Sequence, residues 1–140
     1  MTIKTVTHIN FRRQAREALS FYQAVFGGDM IVATHAQAYG TTDGAEADLV
    51  AWGQVVSEAG FAIMAYDVPA SRPWSAGDAP YFVSVRGNDA SELSAYWDKL
   101  SDGASVIQPL SKAAWAELYG MLTDRFGVTW IFDIPAHPAG

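Results

Sequence analysis

Cysteine is absent from this chain of 140 residues. Disulfide bonds, thiolate nucleophiles and cysteine-ligated zinc sites are therefore excluded. Basic residues are scarce, because 9 Lys and Arg stand against 15 Asp and Glu and give a formal net charge of -6. This balance disfavours nucleic acids and other polyanions as partners, and it would suit a cationic small ligand.

Long hydrophobic runs are also missing. No apolar segment approaches the ~20 residues that span a bilayer. The N-terminal stretch MTIKTVTHINFRR lacks the basic segment and apolar core of a signal peptide. We therefore expect a cytoplasmic protein without a membrane partner. Half of the residues are hydrophobic, which is enough for the core of one domain.

The chain contains one pattern twice. Residues 52–69, WGQVVSEAGFAIMAYDVP, match residues 119–135, YGMLTDRFGVTWIFDIP, at a constant offset. Gly53 corresponds to Gly120, and most other matches are of residue type. Each copy alternates apolar and polar residues around a short polar turn, which predicts two strands joined as a hairpin. The repeat therefore indicates an internally duplicated fold.

The first half of the chain predicts a strand, a helix and three further strands. Apolar residues at three-and-four spacing predict the helix at 14–26, and Gly27 and Gly28 are expected to end it. The residues 36–47 lack periodicity and predict a long loop, either a lid or a surface insertion. The predicted strands are 3–11, 30–35, 48–57 and 61–67.

The second half repeats this order, with a helix predicted at 90–100. Alternation in YFVSVR places Phe82 and Ser84 at the positions of His8 and Asn10. The predicted strands are 81–86, 104–109, 117–123 and 129–134. The predicted fold class is thus α+β, with two βαβββ modules in one domain. The modules span about 1–68 and 80–135, with a connector at about 69–79 and a tail at 136–140.

Polar residues occupy the equivalent turns of the two hairpins. Ser57 and Glu58 correspond to Asp124 and Arg125. A short polar side chain can accept hydrogen bonds from backbone amides two or more residues later and shape the bend. We therefore predict a structural role for these residues and no catalytic one.

Two segments resemble one family. HINFRRQAREALSFYQAVFGGD and the later YGMLTDRFGVTWIFD are similar to the PhnB-like branch of the vicinal oxygen chelate superfamily, which includes glyoxalase I, extradiol dioxygenases, and fosfomycin- and bleomycin-resistance proteins. The resemblance implies a curved mixed sheet around a cleft and a homodimer. A methyltransferase label used in this branch is disfavoured, because the chain has no glycine-rich turn for a nucleotide-containing methyl donor.

The resemblance also implies where a metal would bind. Metalloenzymes of the superfamily carry ligands at positions that correspond to His8, Met64, Phe82 and Ile131. Only His8 suits a hard or borderline divalent ion, since a thioether prefers soft copper and the other two have no donor atom. We therefore predict no standard metal centre and no cofactor. The alternative is a non-standard divalent metal site at His8 with Glu46 or with Gln54.

Several residues are candidates for a functional site. His8 and Glu117 are candidate catalytic groups, since either could transfer a proton. A hydrogen-bonded structural histidine and a solvated glutamate are the plainer interpretations. Trp115 and Glu117 correspond to a loop that overhangs the cleft in the PhnB-like pattern. The predicted ligand-binding residues are His8, Asn10, Trp52, Gln54, Tyr66, Phe82, Trp115 and Tyr119, although core or dimer-interface packing would also account for the aromatic ones.

Three functions fit these observations. The first is binding of a small organic molecule in the cleft without the standard metal. The second is a lyase, dioxygenase or transferase that uses His8 and a metal held by unexpected ligands. The third is a homodimeric interaction module without a small ligand. Whether the chain is an enzyme remains open among them.

Overall fold

The computed structural model describes residues 3–136. The chain forms two compact units, Met1–Ala76 and Gly77–Gly140. The boundary falls inside the predicted connector. In the described part of the chain, no helix has the length and apolarity needed to cross a membrane.

The first unit contains a four-stranded sheet with the order β1-β4-β3-β2. Strand β1 runs parallel to β4, and the other neighbours are antiparallel. The elements are β1 (Thr7–Phe11), α1 (Ala15–Phe26), β2 (Asp29–Thr34), α2 (His35–Tyr39), β3 (Val50–Val56) and β4 (Ala62–Asp67). The predicted strand, helix and three strands are confirmed, although the first strand is shorter than 3–11.

The predicted loop 36–47 is wrong at its start, because α2 occupies its first residues. The Thr34 side chain accepts a hydrogen bond from the Gln37 backbone N–H, and the Gln37 side chain accepts one from the Thr34 backbone N–H. This reciprocal capping stabilises a turn of helix that has no amphipathic periodicity. A helix of five residues is too short to show the periodic spacing of apolar residues by which helices are predicted.

The second unit repeats the topology, with the strand order β5-β8-β7-β6. Its elements are β5 (Val83–Arg86), α3 (Ala90–Leu100), β6 (Ser105–Ala113), β7 (Ala116–Thr123) and β8 (Thr129–Pro135). Strand β5 is parallel to β8, and β8, β7 and β6 are antiparallel. The strand predicted at 104–109 extends to Ala113, and irregular pairing with β7 interrupts it. The α+β fold with two βαβββ modules is confirmed.

One face of each sheet packs against a helix, and a glycine lies at the contact. A Cβ atom added to Gly53 would lie 2.5 Å from Leu19 Cδ1 of α1. A Cβ atom added to Gly120 would lie 2.9 Å from the Trp97 ring of α3 and 3.0 Å from Leu110 Cα. The matched glycines of the repeat are therefore the points where each helix approaches its sheet most closely.

Asp67 fixes the start of α1. Gln14 precedes this helix and provides no side-chain cap. The Asp67 carboxylate instead accepts hydrogen bonds from the backbone N–H groups of Ala15 at 3.0 Å and Val50 at 2.9 Å. A carboxylate at a helix N-terminus also interacts favourably with the helix dipole. This buried side chain thus joins α1, β3 and β4.

The turn between β7 and β8 is built on Asp124. One carboxylate oxygen accepts hydrogen bonds from the Phe126 and Val128 backbone N–H groups, at 2.8 and 3.1 Å. In the equivalent turn of the first unit, Ser57 Oγ accepts from the Phe61 N–H at 3.2 Å. The predicted structural role of both residues is confirmed.

Candidate functional site

The open face of each sheet is defined here as the face opposite α1 in the first unit and opposite α3 in the second. Side chains alternate between the faces of a strand, so those next to Gly53 in sequence point to the open face. The register aligns one row of side chains across the first sheet. That row is His8, Met64, Gln54 and Ile31.

Tyr66 lies beside this row and contacts both histidines of the unit. Its ring centroid is 6.2 Å from that of His8 and 6.0 Å from that of His35. Arg72 donates a hydrogen bond to the Tyr66 hydroxyl at 3.4 Å. The predicted site residues Tyr66, His8 and Gln54 therefore share one face, and Trp52 lies on the same face by its parity with Gln54.

Asn10 neighbours Tyr66 in the register, but its backbone is engaged in a structural contact. Trp74 Nε1 donates to the Asn10 carbonyl at 3.2 Å. Arg12 donates to the carbonyls of Pro69 and Arg72, at 3.1 and 2.7 Å. These bonds hold the segment after β4 against the end of β1. The exposed Asn10 side chain still lies on the open face.

The second sheet carries the equivalent row Ser84, Ile131, Met121 and Gln108. His8 pairs with Met64, and Ser84 pairs with Ile131, which matches Met64 in the repeat. The alignment of Phe82 with His8 is therefore wrong by two residues. Phe82 instead precedes β5 and is 46% exposed. The slip arose because the start of a short strand is not marked in the sequence.

A pocket of about 330 Å³ opens on the second sheet. It lies along β6 and β7, which pair with an irregular register and are joined by a two-residue turn. Its volume falls within the range typical of small-molecule sites. The lining residues are Ile107, Gln108, Ser111, Lys112, Ala113, Trp115, Tyr119 and Met121.

Trp115 and Tyr119 form the aromatic wall of this pocket. Their ring centroids are 5.3 Å apart at an interplanar angle of 68°. Trp115 lies in the two-residue turn between β6 and β7 and is 65% exposed. The expected overhanging loop is therefore a hairpin turn. Glu117, the second catalytic candidate, is an exposed residue of β7 that does not line the pocket.

An ion pair occupies the same sheet. Arg86 donates to both carboxylate oxygens of Asp133, at 3.0 and 2.9 Å. These hydrogen bonds and the charge of Asp133 raise the pKa of Arg86. Asp133 is the register neighbour of Tyr119. Its negative charge is thus matched within the sheet and is not available to a cationic guest.

The side chains at the superfamily's metal positions do not fit a divalent metal centre. The first unit provides the imidazole of His8 and the thioether of Met64, and the second provides the hydroxyl of Ser84 and the alkyl chain of Ile131. Hard and borderline metals need several oxygen or nitrogen donors. Among residues 3–136, no group of three or more His, Cys, Asp or Glu side chains could hold a metal ion.

Glu46, the other candidate metal ligand, has structural partners. One of its oxygens accepts a hydrogen bond from the Ala70 N–H at 2.9 Å, and the other pairs with Arg13 at 3.3 Å. Glu46 thus joins the loop before β3 to the segment after β4.

His35 also has a structural role, because its ring Nε2 donates a hydrogen bond to the buried Asp67 carbonyl at 3.0 Å.

Sequence reasoning found only part of the pocket. Trp115 and Tyr119 were predicted, whereas Ser111 and Lys112 were missed because the strand was expected to end at 109. Gln108 lies inside the predicted strand but was not singled out as a site residue. One signal was present for Met121. It corresponds to Gln54 in the internal repeat, so it shares the sheet face on which Gln54 was predicted to bind a ligand.

Comparisons with known proteins agree with this architecture. A family model described as Glyoxalase/Bleomycin resistance protein/Dioxygenase superfamily matches residues 5–132. The crystal structure of protein PA1353 from Pseudomonas aeruginosa is 28% identical, with a TM-score of 0.84, over 96% of this chain and 98% of that one. No curated protein matches the chain.

Two more distant structures share the fold. The PhnB protein from Bacillus cereus is 18% identical, with a TM-score of 0.70, over 94% of this chain and 99% of that one. TioX from Micromonospora sp. ML1 is also 18% identical, with a TM-score of 0.55, over 99% of this chain and 100% of that one.

Proposed function

Because the chain belongs to the Glyoxalase/Bleomycin resistance protein/Dioxygenase superfamily, we propose that it binds a small organic molecule on the open face of its second sheet, without the superfamily's standard metal centre. The fold shared with the PhnB protein from Bacillus cereus agrees with the resemblance to PhnB-like proteins. The proposal that the standard metal is absent is supported by the side chains at the corresponding positions, where only His8 is a suitable ligand for a divalent metal.

The single observation that carries this proposal is the pocket on β6 and β7. Trp115 and Tyr119 give it a large aromatic surface, and Met121 adds a polarizable thioether. Gln108 and Ser111 add polar groups that can orient a guest. An apolar surface with a few polar groups is the usual composition of a small-molecule site.

A fragment screen by thermal shift tests the binding proposal. We expect aromatic fragments to raise the melting temperature in the presence of a chelator, because binding to the native state stabilises it. The variant Trp115→Ala should lose most of this shift. The control Tyr39→Ala removes an aromatic side chain that is 69% exposed and belongs to α2 of the other unit, and it should keep the shift. Equal loss in both variants, or no shift with any fragment, would contradict the proposal.

Metal analysis of protein purified without a chelator tests the other half of the proposal. We expect divalent metals well below one equivalent, since only His8 offers a suitable donor at the superfamily positions. A stoichiometric metal that disappears in His8→Ala would overturn the metal-free assignment. It would also favour an enzyme that uses the metal as a Lewis acid.

We also propose that the protein forms a homodimer. The first strand of each unit, β1 or β5, lies at an edge of its sheet and has an unpaired side. Large apolar side chains before these strands are exposed: Ile3 by 82%, Tyr81 by 87% and Phe82 by 46%. Exposed apolar residues near a free strand edge favour association, and a second copy of the chain would cover them.

A further inference from the structure

The pocket on β6 and β7 has one charged lining residue. Lys112 provides a positive charge, and no acidic residue lines the pocket. The local charge thus favours an anionic guest, whereas the net charge of -6 led to the expectation of a cationic one. Net charge describes the whole surface, whereas a ligand responds most strongly to charges within a few ångströms.

Two acidic residues of the second sheet lie outside the pocket lining, and one of them, Glu117, lies across from Lys112 in the pairing of β6 with β7. Asp133 is matched by Arg86 through two short hydrogen bonds. Glu117 is exposed on β7 and lies outside the lining. Lys112 has no ion pair among the described residues. The ammonium group of Lys112 is therefore not held in an ion pair and can pair with an anionic group of a ligand.

The remaining lining selects for a flat ring. Trp115 and Tyr119 meet edge to face, and Trp115 is 65% exposed, so its indole offers surface on which a further aromatic group can pack. Met121 provides a sulfur atom that contacts aromatic rings favourably. Near them, the Gln108 amide and Ser111 hydroxyl can donate hydrogen bonds to oxygen atoms. The aromatic surface and the donor groups line one pocket.

We propose that this pocket takes a planar aromatic ligand with an anionic group, such as a carboxylate, which pairs with Lys112 while its ring packs on Trp115 and Tyr119. This proposal rests on the proposed function, because it names the ligand class of the same site. The ring provides most of the buried apolar area, and the ion pair sets the preference for charge.

Three probes with one ring system test the charge preference. They are 2-naphthoate, 2-naphthalenemethanol and 2-naphthylmethylammonium, and their dissociation constants are measured by isothermal titration calorimetry in a chelator-containing buffer. We expect 2-naphthoate to bind most tightly and the ammonium probe most weakly. Added salt should weaken 2-naphthoate and leave the alcohol nearly unchanged, because only the charged pair is screened.

Variants then assign the preference to one side chain. Lys112→Gln should weaken 2-naphthoate about two- to fivefold, the range expected for an exposed ion pair, and leave the alcohol unchanged. Lys112→Glu should reverse the order of the two charged probes. Lys99→Gln, an exposed lysine in the last turn of α3, is the matched control and should change nothing. Trp115→Ala should weaken all three probes alike.

The outcomes separate this inference from the proposed function. Equal affinities for the three probes, with all of them sensitive to Trp115→Ala, would overturn the charge preference and keep the binding site. Tighter binding of the ammonium probe, or 2-naphthoate binding unaffected by Lys112→Gln, would also overturn it. No binding of any probe would overturn both proposals. Melting curves of each variant confirm that it is folded.

Discussion

At the residue scale, Asp124 connects a turn to the core. Besides the two turn amides, its second carboxylate oxygen accepts a hydrogen bond from Trp130 Nε1 at 2.9 Å. Both residues are buried, so the indole N–H would be unsatisfied without the carboxylate. A buried donor that loses its partner retains the full cost of its desolvation. One side chain therefore stabilises both the bend and the position of the largest buried residue.

Replacement of Asp124 should destabilise the protein substantially. We expect Asp124→Ala to lower the free energy of unfolding by about 2–4 kcal/mol, since three donors lose a charged acceptor. The matched change Ser57→Ala removes one neutral hydrogen bond and should cost about 0.5–1.5 kcal/mol. Urea unfolding followed by circular dichroism measures both. If the two variants lost equal free energy of unfolding, the additional hydrogen bonds of Asp124, including the one from Trp130, would contribute no stability.

The pKa of Tyr96 is raised above the ordinary value of a tyrosine side chain. Its hydroxyl donates to Glu92 at 3.3 Å, and burial, with a smaller effect of the Glu92 charge, raises its pKa above the ordinary 10.0. Because the folded pKa exceeds the unfolded one, the associated stability is present below pH 10.0 and is lost as the pH rises through the folded pKa. Phenolate absorbance of wild type minus Tyr96→Phe isolates this group. A difference curve centred below 10.0 would contradict the assignment.

At the element scale, the two matched glycines have different tolerances. At Gly120, a new methyl group would meet the Trp97 ring and the Leu110 backbone, and neither can move easily. At Gly53, the nearest atom is the end of the Leu19 side chain, which can rotate away. The same sequence motif thus allows different helix packing in the two units.

We expect Gly120→Ala to lower the free energy of unfolding by about 1–3 kcal/mol, the usual cost of overpacking. Gly53→Ala should cost less, since a side-chain shift relieves its contact. Urea unfolding of the two variants provides the comparison. Gly127 is not a suitable third site, because its φ of 86° would add backbone strain to the effect of packing. A larger cost at Gly53 would show that Leu19 is held more rigidly than Trp97.

The element scale also shows what the sequence could predict. The helices α1 and α3 were found because apolar residues recur along one face, as in the buried set Leu19, Tyr22 and Phe26 of α1. The extension of β6 to Ala113 was missed because Pro109 lacks an N–H, and exposed polar residues obscure the alternation. Three lining residues of the pocket, Ser111, Lys112 and Ala113, lie on that extension. Its shape depends on pairing with β7, which local sequence does not determine.

At the scale of the whole molecule, the duplication was predictable because each module must pack one helix against one face of a four-stranded sheet. Gly53 and Gly120 recur since each sheet needs a close approach to its helix. His8 and Ser84 are both exposed, and exposed positions can differ without disturbing the packing of the core. The sequence therefore carried more information about the fold than about the site, whose residues face away from the core.

Self-association is a property of the whole molecule. We expect analytical ultracentrifugation to show a dimer that dissociates on dilution, since Tyr81 and Phe82 would be buried by a second copy. The double variant Tyr81→Ser, Phe82→Ser should weaken the dimer by about tenfold or more, as expected for aromatic interface residues. Tyr39→Ser, at a similarly exposed aromatic, is the control. A monomer at every concentration would contradict the dimer proposal.

The most direct test of the central claim is an amide and indole chemical-shift map of the protein with 2-naphthoate in the presence of a chelator. We predict that the largest shifts occur at the Trp115 indole and at the amides of Gln108, Ser111 and Tyr119, which line the pocket. The helix-covered face, represented by Phe132, should change little. Absence of shifts at the pocket, or shifts there only after a divalent metal is added, would contradict the claim of a metal-free small-molecule site.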